Sequence, residues 1–238
     1  MELQFPKHSF VLMGQSNMAG RGLLSDVQKI DNDLCFMYRM MHWIKMEEPI
    51  NLDALLDDEF ASGVGLSASF ADTYAKTYGE SVGLIPCAKG GAKLTLWMPG
   101  SPLFEQAVLL TKFAMQETEL KGILWHQGES DCRLQEDFDA YPERFLTILT
   151  EFRNRIGRPD LPIVIGEISN HISDRWGRLA GYQKLNEMLH ELAKELPNCA
   201  IVECGEFPLK PDGIHFNAES LRKMGNMYFD EYQKLIQK

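Results

Sequence analysis

The chain has 238 residues, of which 45% are hydrophobic and 24% are charged, and its formal net charge at pH 7 is −10. These proportions predict a globular protein with a sizeable core, organised as one α/β domain over residues 1–238. The acidic balance argues against a surface that binds nucleic acid or an anionic membrane.

Five cysteines are scattered along the chain, and no two of them form a C-x-x-C pair. This pattern is typical of reduced thiols and indicates neither a disulfide framework nor a zinc site. The first residues, MELQFPKHSF, lack the basic start and long apolar run of a signal peptide, and no stretch approaches the roughly 18 apolar residues of a membrane span. We therefore expect a cytoplasmic protein without a membrane partner, secreted only if a signal peptide has been removed.

Short apolar segments alternate with amphipathic ones along the chain. Strands are predicted at residues 10–13, 34–38, 81–87, 122–125, 162–168 and 200–203, because short apolar runs suit strands buried on both faces of a sheet. Helices are predicted at residues 65–78, 103–120, 138–156, 176–196 and 218–236, while residues 40–62 are interpreted as a long irregular connection. The alternation predicts a three-layer α/β/α sandwich with a central parallel sheet, whose strand order the pattern does not reveal.

For two of the predicted helices, the residue spacing predicts which side chains form the apolar face. For residues 103–120 the predicted face consists of Val108, Leu109, Phe113 and Leu120. For residues 138–156 it consists of Phe145, Ile148, Leu149 and Phe152, which recur at spacings of three and four.

The first strand runs directly into a polar segment, GQSNM. Gly14 stands two residues before Ser16, so the chain can turn sharply and present the hydroxyl at the edge where open α/β sheets bind ligands. The segment differs from the G-x-S-x-G nucleophile elbow because Met18 replaces the second glycine. The alternative is a strand followed by a helix cap, with Ser16 or Asn17 as the N-cap.

Four polar blocks follow predicted strands or lie in the last long loop. They are GQSNM (14–18), KGGAK (89–93), HQGESD (126–131) and DGIH (212–215). The carboxyl ends of parallel strands meet at one edge of a sheet, so the first three blocks should be neighbours. Together the blocks supply the groups of acyl transfer: a serine, backbone N–H groups at two glycines, a glutamine amide, and a carboxylate three residues from a histidine.

The blocks GQSNM, GG, HQGESD and DGIHF, in this order, resemble the SGNH (GDSL-like) hydrolase superfamily. Within it the chain is most similar to the carbohydrate acetylesterases called carbohydrate esterase family six, alongside the sialate O-acetylesterases. The resemblance extends from Phe10 to the C-terminal helix and implies a flavodoxin-like SGNH hydrolase fold. It also implies that Ser16 is the nucleophile, His215 the general base and Asp212 the group that orients His215.

The same resemblance implies an oxyanion hole made of the backbone N–H groups of Ser16 and Gly91 and the side-chain amide of Gln127. A glutamine at position 127, where most of the superfamily has asparagine, marks this branch. The chain departs from the family at Ala92, where a small hydroxyl residue usually follows the glycine pair.

Several neighbouring residues have two interpretations. Glu129 could replace Asp212 as the triad acid, or it could support the site indirectly by pairing with Arg21. Arg21 could be a solvated charge or line the substrate rim. Together with Gln15, Asn17 and Gly90 it forms the set of predicted substrate-binding residues.

For other polar and aromatic residues near the blocks, a structural role is favoured over a role in binding. His126 and Glu129 have H-x-x-E spacing, but no third metal ligand is evident, so no metal is expected. Trp43 and Trp97 could stack on a sugar, although a core position is favoured.

The sequence therefore predicts a carboxylic ester hydrolase without cofactors, of the Ser-His-Asp type. It would remove O-acetyl groups from carbohydrates, in the manner of an acetylxylan esterase, through an acetyl-enzyme intermediate. The expected partner is a small-molecule or oligosaccharide acetyl ester. The alternatives are a sialate O-acetylesterase, another small-acyl esterase or lipase, and a non-catalytic carbohydrate-binding domain on the same scaffold. The sequence predicts no particular oligomeric state.

Overall fold

The computed structural model describes residues 5–53, 61–173, 175 and 181–237. The strands within these ranges are His8–Gly14 (β1), Cys35–Arg39 (β2), His42–Lys45 (β3), Val82–Pro86 (β4), Glu119–His126 (β5), Ile163–Gly166 (β6) and Cys199–Val202 (β7). The α-helices are Ser16–Ala19 (α1), Leu66–Tyr78 (α2), Pro102–Ala114 (α3), Gln135–Asp139 (α4), Tyr141–Arg155 (α5), Tyr182–Glu195 (α6) and Ala218–Ile236 (α7).

The strands form one sheet in the order β3-β2-β4-β1-β5-β6-β7. Five of the neighbouring pairs are parallel, and β3 pairs with β2 in the antiparallel direction. β1 lies at the centre between β4 and β5, so the segment that follows it emerges in the middle of the carboxyl edge of the sheet. The predicted α/β/α sandwich is confirmed, with one antiparallel strand added at its edge.

Alternate side chains of β1 face the two opposite layers of helices. Phe10 and Leu12 pack with α2 and α7, while Val11 and Met13 pack with α3, α5 and α6. Both faces of β1 are buried, which explains the continuous apolar run in its sequence. None of the helices in the described ranges combines the length and the apolarity needed to cross a lipid bilayer.

The segment 40–62 is only partly irregular. Met40 and Met41, at φ values of 49° and 66°, form a tight turn that folds β3 back along β2. The prediction missed β3 because its alternation is carried by one buried residue, Trp43, between exposed neighbours. Residues 54–60, which include most of the acidic cluster at 53–59, lie outside the described residues.

The helix predicted at residues 103–120 was too long. α3 ends at Ala114, and Leu120 lies in β5, where it is buried by the sheet and not by a helix face. Leu109 and Phe113 are 53% and 40% exposed, so that part of the predicted apolar face was also wrong. The hydrophobic spacing continued across the turn at residues 115–118 because Leu120, the second residue of β5, is itself buried.

The helix predicted at residues 138–156 is divided into α4 and α5. Pro142 lies in the first turn of α5, where the missing N–H of proline is tolerated, and this starts a new helix. The predicted apolar face, listed above for this helix, is buried in the core. In the next helix, α6 is described from Tyr182, and the predicted start at residue 176 lies outside the described residues.

Candidate active site

The ends of β1 and β5 approach each other closely. Gly14 pairs with His126 across the sheet, and a Cβ atom at Gly14 would collide with the backbone oxygen of His126. Gly14 has a φ of 137°, a conformation that favours glycine. The N–H of Gln15 then donates to the same His126 oxygen at 2.9 Å. Only glycine therefore lets the block 14–18 lie directly against the block 126–131.

All four polar blocks contribute to one pocket of about 290 Å³ at this edge of the sheet. Its lining includes Gln15, Ser16, Gly90, Gly91, Ser130, Ile214 and His215. Ser16 is the first residue of α1, the short helix that follows β1. The structure therefore brings Ser16 and His215, which are about 200 residues apart in the chain, into the wall of the same cavity.

Asp212 holds both the ring and the backbone of His215. Its Oδ2 lies 2.9 Å from His215 Nδ1, and its Oδ1 accepts hydrogen bonds from the N–H groups of Ile214 (3.0 Å) and His215 (2.9 Å). Burial alone would raise the pKa of Asp212, but these hydrogen bonds hold it well below its usual range. The carboxylate is thus charged at neutral pH and holds the imidazole with Nε2 directed away from it.

The Gly90-Gly91 loop is held by a carboxylate that the sequence analysis did not assign to the site. Asp53 Oδ2 accepts hydrogen bonds from the N–H of Gly90 at 2.5 Å and from Arg21 at 2.8 Å. Burial opposes the charge of Asp53, but the Arg21 contact outweighs it and lowers its pKa. A Cβ atom at Gly90 would lie 2.6 Å from Arg21 Nη2 and 3.0 Å from Asp53 Oδ2, so a side chain here would require the Arg21–Asp53 pair to shift.

Arg21 is therefore not a solvated charge. It is 3% exposed, lines the pocket and pairs with Asp53. One of the two interpretations of Glu129 had it pairing with Arg21. That pairing was wrong because Glu129 is turned toward Asn17.

Two backbone N–H groups at the pocket are available to a ligand. Within the described residues, neither Ser16 N nor Gly91 N donates a hydrogen bond. Gly91 has a φ of 70°, and its carbonyl is held by the Ser130 hydroxyl at 3.2 Å. The loop conformation is thus fixed on the carbonyl side while the N–H remains free to donate.

Gln127 does not line the pocket, contrary to the role expected for its amide. Its side chain is fully buried, and Nε2 donates to Asp131 Oδ2 at 2.5 Å and to the carbonyl of Ala92 at 3.1 Å. An amide nitrogen carries two hydrogens, so both are already engaged. The prediction that Gln127 donates to an oxyanion therefore disagrees with this geometry.

Gln15 stands between Gln127 and the pocket. Its Oε1 accepts from the N–H groups of Gly128 and Ser130, each at 3.4 Å, and lies 3.3 Å from Gln127 Nε2, whose shorter contacts are to Asp131 and Ala92. These donors hold the oxygen end of the amide inward, so the Nε2 end is directed the other way. Gln15 lines the pocket, and no residue of the described chain accepts a hydrogen bond from its Nε2.

Asn17 is completely buried and is not among the residues that line the pocket, a position that does not favour the predicted contact with substrate. Its Nδ2 donates to Glu129 Oε1 at 2.5 Å. Burial raises the pKa of Glu129 to about 7, although the hydrogen bond from Asn17 works against this shift. Glu129 is therefore hydrogen-bonded to Asn17, the residue that follows Ser16 in the chain.

The remaining candidates are structural. His126 is fully buried with Nδ1 3.0 Å from the Tyr228 hydroxyl, and burial lowers its pKa to about 3. Trp43 and Trp97 lie in the core, as favoured. Among the residues that the structure describes, no cluster of three or more His, Cys, Asp or Glu side chains could hold a metal ion.

Comparison with known proteins gives both a family and a fold. A family model described as "Carbohydrate esterase, sialic acid-specific acetylesterase" matches residues 6–234. A probable carbohydrate esterase of Arabidopsis thaliana is 29% identical to this chain over 240 residues, which cover 92% of the chain and 88% of that protein.

Solved structures share the same architecture. The crystal structure of an A. thaliana protein matches with a TM-score of 0.83 and 27% identity, covering 96% of this chain and 98% of that one. NanS matches with a TM-score of 0.77 and 17% identity over 98% of this chain and 99% of its own, a likeness of fold. Because the family model spans nearly the whole sequence, the chain belongs to the carbohydrate esterase family of sialic acid-specific acetylesterases.

Proposed function

We propose that this protein is a serine esterase that removes acetyl groups from sugar hydroxyls through an acetyl-enzyme on Ser16. One observation carries the proposal: Ser16 and His215 line the same pocket, and Asp212 is hydrogen-bonded to Nδ1 of His215. This hydrogen bond leaves Nε2 of His215 to act as the base. Membership of a carbohydrate esterase family supports carboxylic ester hydrolysis on carbohydrates.

In the first step Ser16 Oγ attacks the acetyl carbonyl carbon while His215 Nε2 takes the hydroxyl proton. Asp212 stabilises the imidazolium through the hydrogen bond to Nδ1. When the tetrahedral intermediate collapses, the bond to the sugar oxygen breaks and His215 returns the proton to that oxygen. In the second step water, activated by His215, attacks the acetyl carbon, and acetate and the free Ser16 hydroxyl are released.

We propose that three donors at the pocket stabilise the oxyanion. The N–H groups of Ser16 and Gly91 are unengaged in the described chain, and Gln15 lines the pocket while its hydrogen-bonded Oε1 leaves Nε2 as the end of the amide available to a ligand. We assign the side-chain donor to Gln15 because both amide hydrogens of Gln127 are engaged elsewhere. Donors of this kind strengthen their hydrogen bonds as negative charge develops on the carbonyl oxygen.

Two acetylated sugars are candidates for the substrate. Acetylated xylo-oligosaccharides follow from the resemblance to family six, and O-acetyl sialic acid follows from the description of the matching family. Initial rates on these two substrates and on glucose pentaacetate would rank them.

The test of the proposal is Ser16→Ala. Removing the nucleophile should abolish turnover of p-nitrophenyl acetate, a loss of many orders of magnitude, while the circular dichroism spectrum stays unchanged. A serine-directed phosphonate should label the unaltered protein at Ser16 and abolish its burst of p-nitrophenol. Wild-type turnover in Ser16→Ala would refute the proposal, and sugar binding without a burst would indicate a carbohydrate-binding domain.

A further inference from the structure

Asn17, the residue after the nucleophile, spans the interior between two of the polar blocks. Its Oδ1 accepts from the N–H of Phe216 at 3.1 Å, and its Nδ2 donates to the carbonyl of Ile214 at 3.3 Å and to Glu129 Oε1 at 2.5 Å. Both hydrogens of the amide are therefore engaged, and the side chain is 0% exposed.

The two backbone groups that Asn17 holds lie on either side of His215. Asp212 fixes His215 from within its own loop, but it cannot fix the distance between that loop and Ser16, because Asp212 and His215 would move together. Asn17 supplies that connection, since it follows Ser16 directly in α1 and bonds to the residues before and after the histidine.

Glu129 decides which end of the Asn17 amide faces which partner. Glu129 Oε1 accepts from Asn17 either as an ionised oxygen or as the carbonyl oxygen of the protonated acid, so it requires the NH₂ end of the amide, and this turns Oδ1 toward the N–H of Phe216. The other oxygen, Oε2, is buried and has no hydrogen-bond partner among the described residues. Replacing it with an amide nitrogen would therefore leave the bond to Asn17 in place.

We propose that Asn17 is the positioning residue that sets His215 relative to Ser16, and that Glu129 orients the Asn17 amide for this task. The inference rests on the proposed function of Ser16 and His215. It explains why a polar side chain beside the nucleophile is wholly buried and does not contact the pocket.

The test is Asn17→Asp, which keeps the shape of the side chain and its bond from Phe216 but places an oxygen against Glu129 and Ile214. We expect kcat for p-nitrophenyl acetate to fall about 100-fold, because small misplacements of a catalytic group have effects of this size, with KM nearly unchanged. Phosphonate labelling of Ser16 should slow in parallel, since it also needs the base. Glu129→Gln keeps an acceptor oxygen for Asn17, so it should lower kcat less than Asn17→Asp does.

Combining Asn17→Asp with Glu129→Gln should recover about tenfold of the lost kcat. The new glutamine can donate to the aspartate through its NH₂ group, which restores the hydrogen bond with its direction reversed. Each variant is measured at a temperature where it is folded, so that a recovery of stability alone does not account for the recovery of kcat.

Asn186 provides a matched control because it is a buried asparagine with the same bonding pattern. Its Oδ1 accepts from the N–H of Ile168 at 2.9 Å, and its Nδ2 donates to the Ile168 carbonyl at 2.9 Å and to Asn170 at 3.0 Å, away from the pocket. Asn186→Asp should lower the melting temperature without lowering kcat at a temperature where it is folded.

The outcomes separate this inference from the proposed function. If Ser16→Ala is inactive and Asn17→Asp has wild-type kcat, the positioning role is refuted and the proposed function stands. Equal losses of kcat in Asn17→Asp and Asn186→Asp, with no recovery in the double variant, would also refute it. Activity in Ser16→Ala would overturn both.

Discussion

Oδ2 of Asp212 lies 2.9 Å from Nδ1 of His215, within a loop in which only two residues separate them. The other oxygen of the carboxylate holds the backbone of the same histidine at 2.9 Å. The second candidate for the triad acid, Glu129, is bonded to Asn17 instead. Because Asp212 and Glu129 have different partners, replacing each of them separately tests which one is the triad acid.

We predict that Asp212→Asn lowers kcat far more than Glu129→Gln. An asparagine would favour the wrong tautomer of His215, an effect that can cost about 10⁴ in kcat. Measuring both variants on one acetyl ester decides the question. Equal losses would indicate a shared network, and a larger loss in Glu129→Gln would move the triad acid to Glu129.

The oxyanion donor can be tested with two glutamines. Gln15→Ala should lower kcat by roughly 10²–10³ with little change in KM, because the lost hydrogen bond strengthens only in the transition state. Gln127→Ala should cost less, since the Gln127 amide is bonded to Asp131 and Ala92. A larger loss of kcat in Gln127→Ala would restore the role that the sequence predicted for it.

The raised pKa of Glu129 predicts how stability depends on pH. Burial raises its pKa to about 7 from an unfolded value near 4.3, so the folded state holds the proton more tightly between these values. The free energy of unfolding should therefore decrease as pH rises through this window, by up to about 4 kcal/mol from this one group.

Urea denaturation of the wild-type protein and of Glu129→Gln at several pH values isolates that contribution. The variant has no titrating group at position 129, so its stability relative to the wild type should increase between pH values of about 4 and 7. Asp131, whose pKa burial also raises to about 6, is present in both proteins. Parallel stability curves would show that Glu129 titrates normally.

Chelators should leave the esterase activity unchanged. The proposed acyl transfer uses hydrogen-bond donors to stabilise charge and requires no Lewis acid. Activity on an acetyl ester after EDTA treatment and buffer exchange should equal that of the untreated protein. Loss of activity that a divalent metal restores would contradict this mechanism.

The sequence by itself determined the features that depend on local chain geometry. The buried strand before Ser16 and the spacing of Asp212 and His215 are short-range properties, so they could be predicted from adjacent residues. Periodicity gave the order of strands and helices. It failed where two elements shared one hydrophobic pattern, as when Leu120 continued the spacing of α3 but lies in β5.

Only the tertiary structure decided which amide reaches the pocket and which acid supports which partner. Gln15 and Gln127 carry the same amide group, but the Gln127 amide donates to Asp131 and to the carbonyl of Ala92. Ala92 belongs to another loop, so this contact exists only in the folded protein. Arg21 pairs with Asp53 and not with Glu129 for the same kind of reason. A hydrogen bond between distant segments depends on how the strand ends converge, and no pattern within one segment records that convergence.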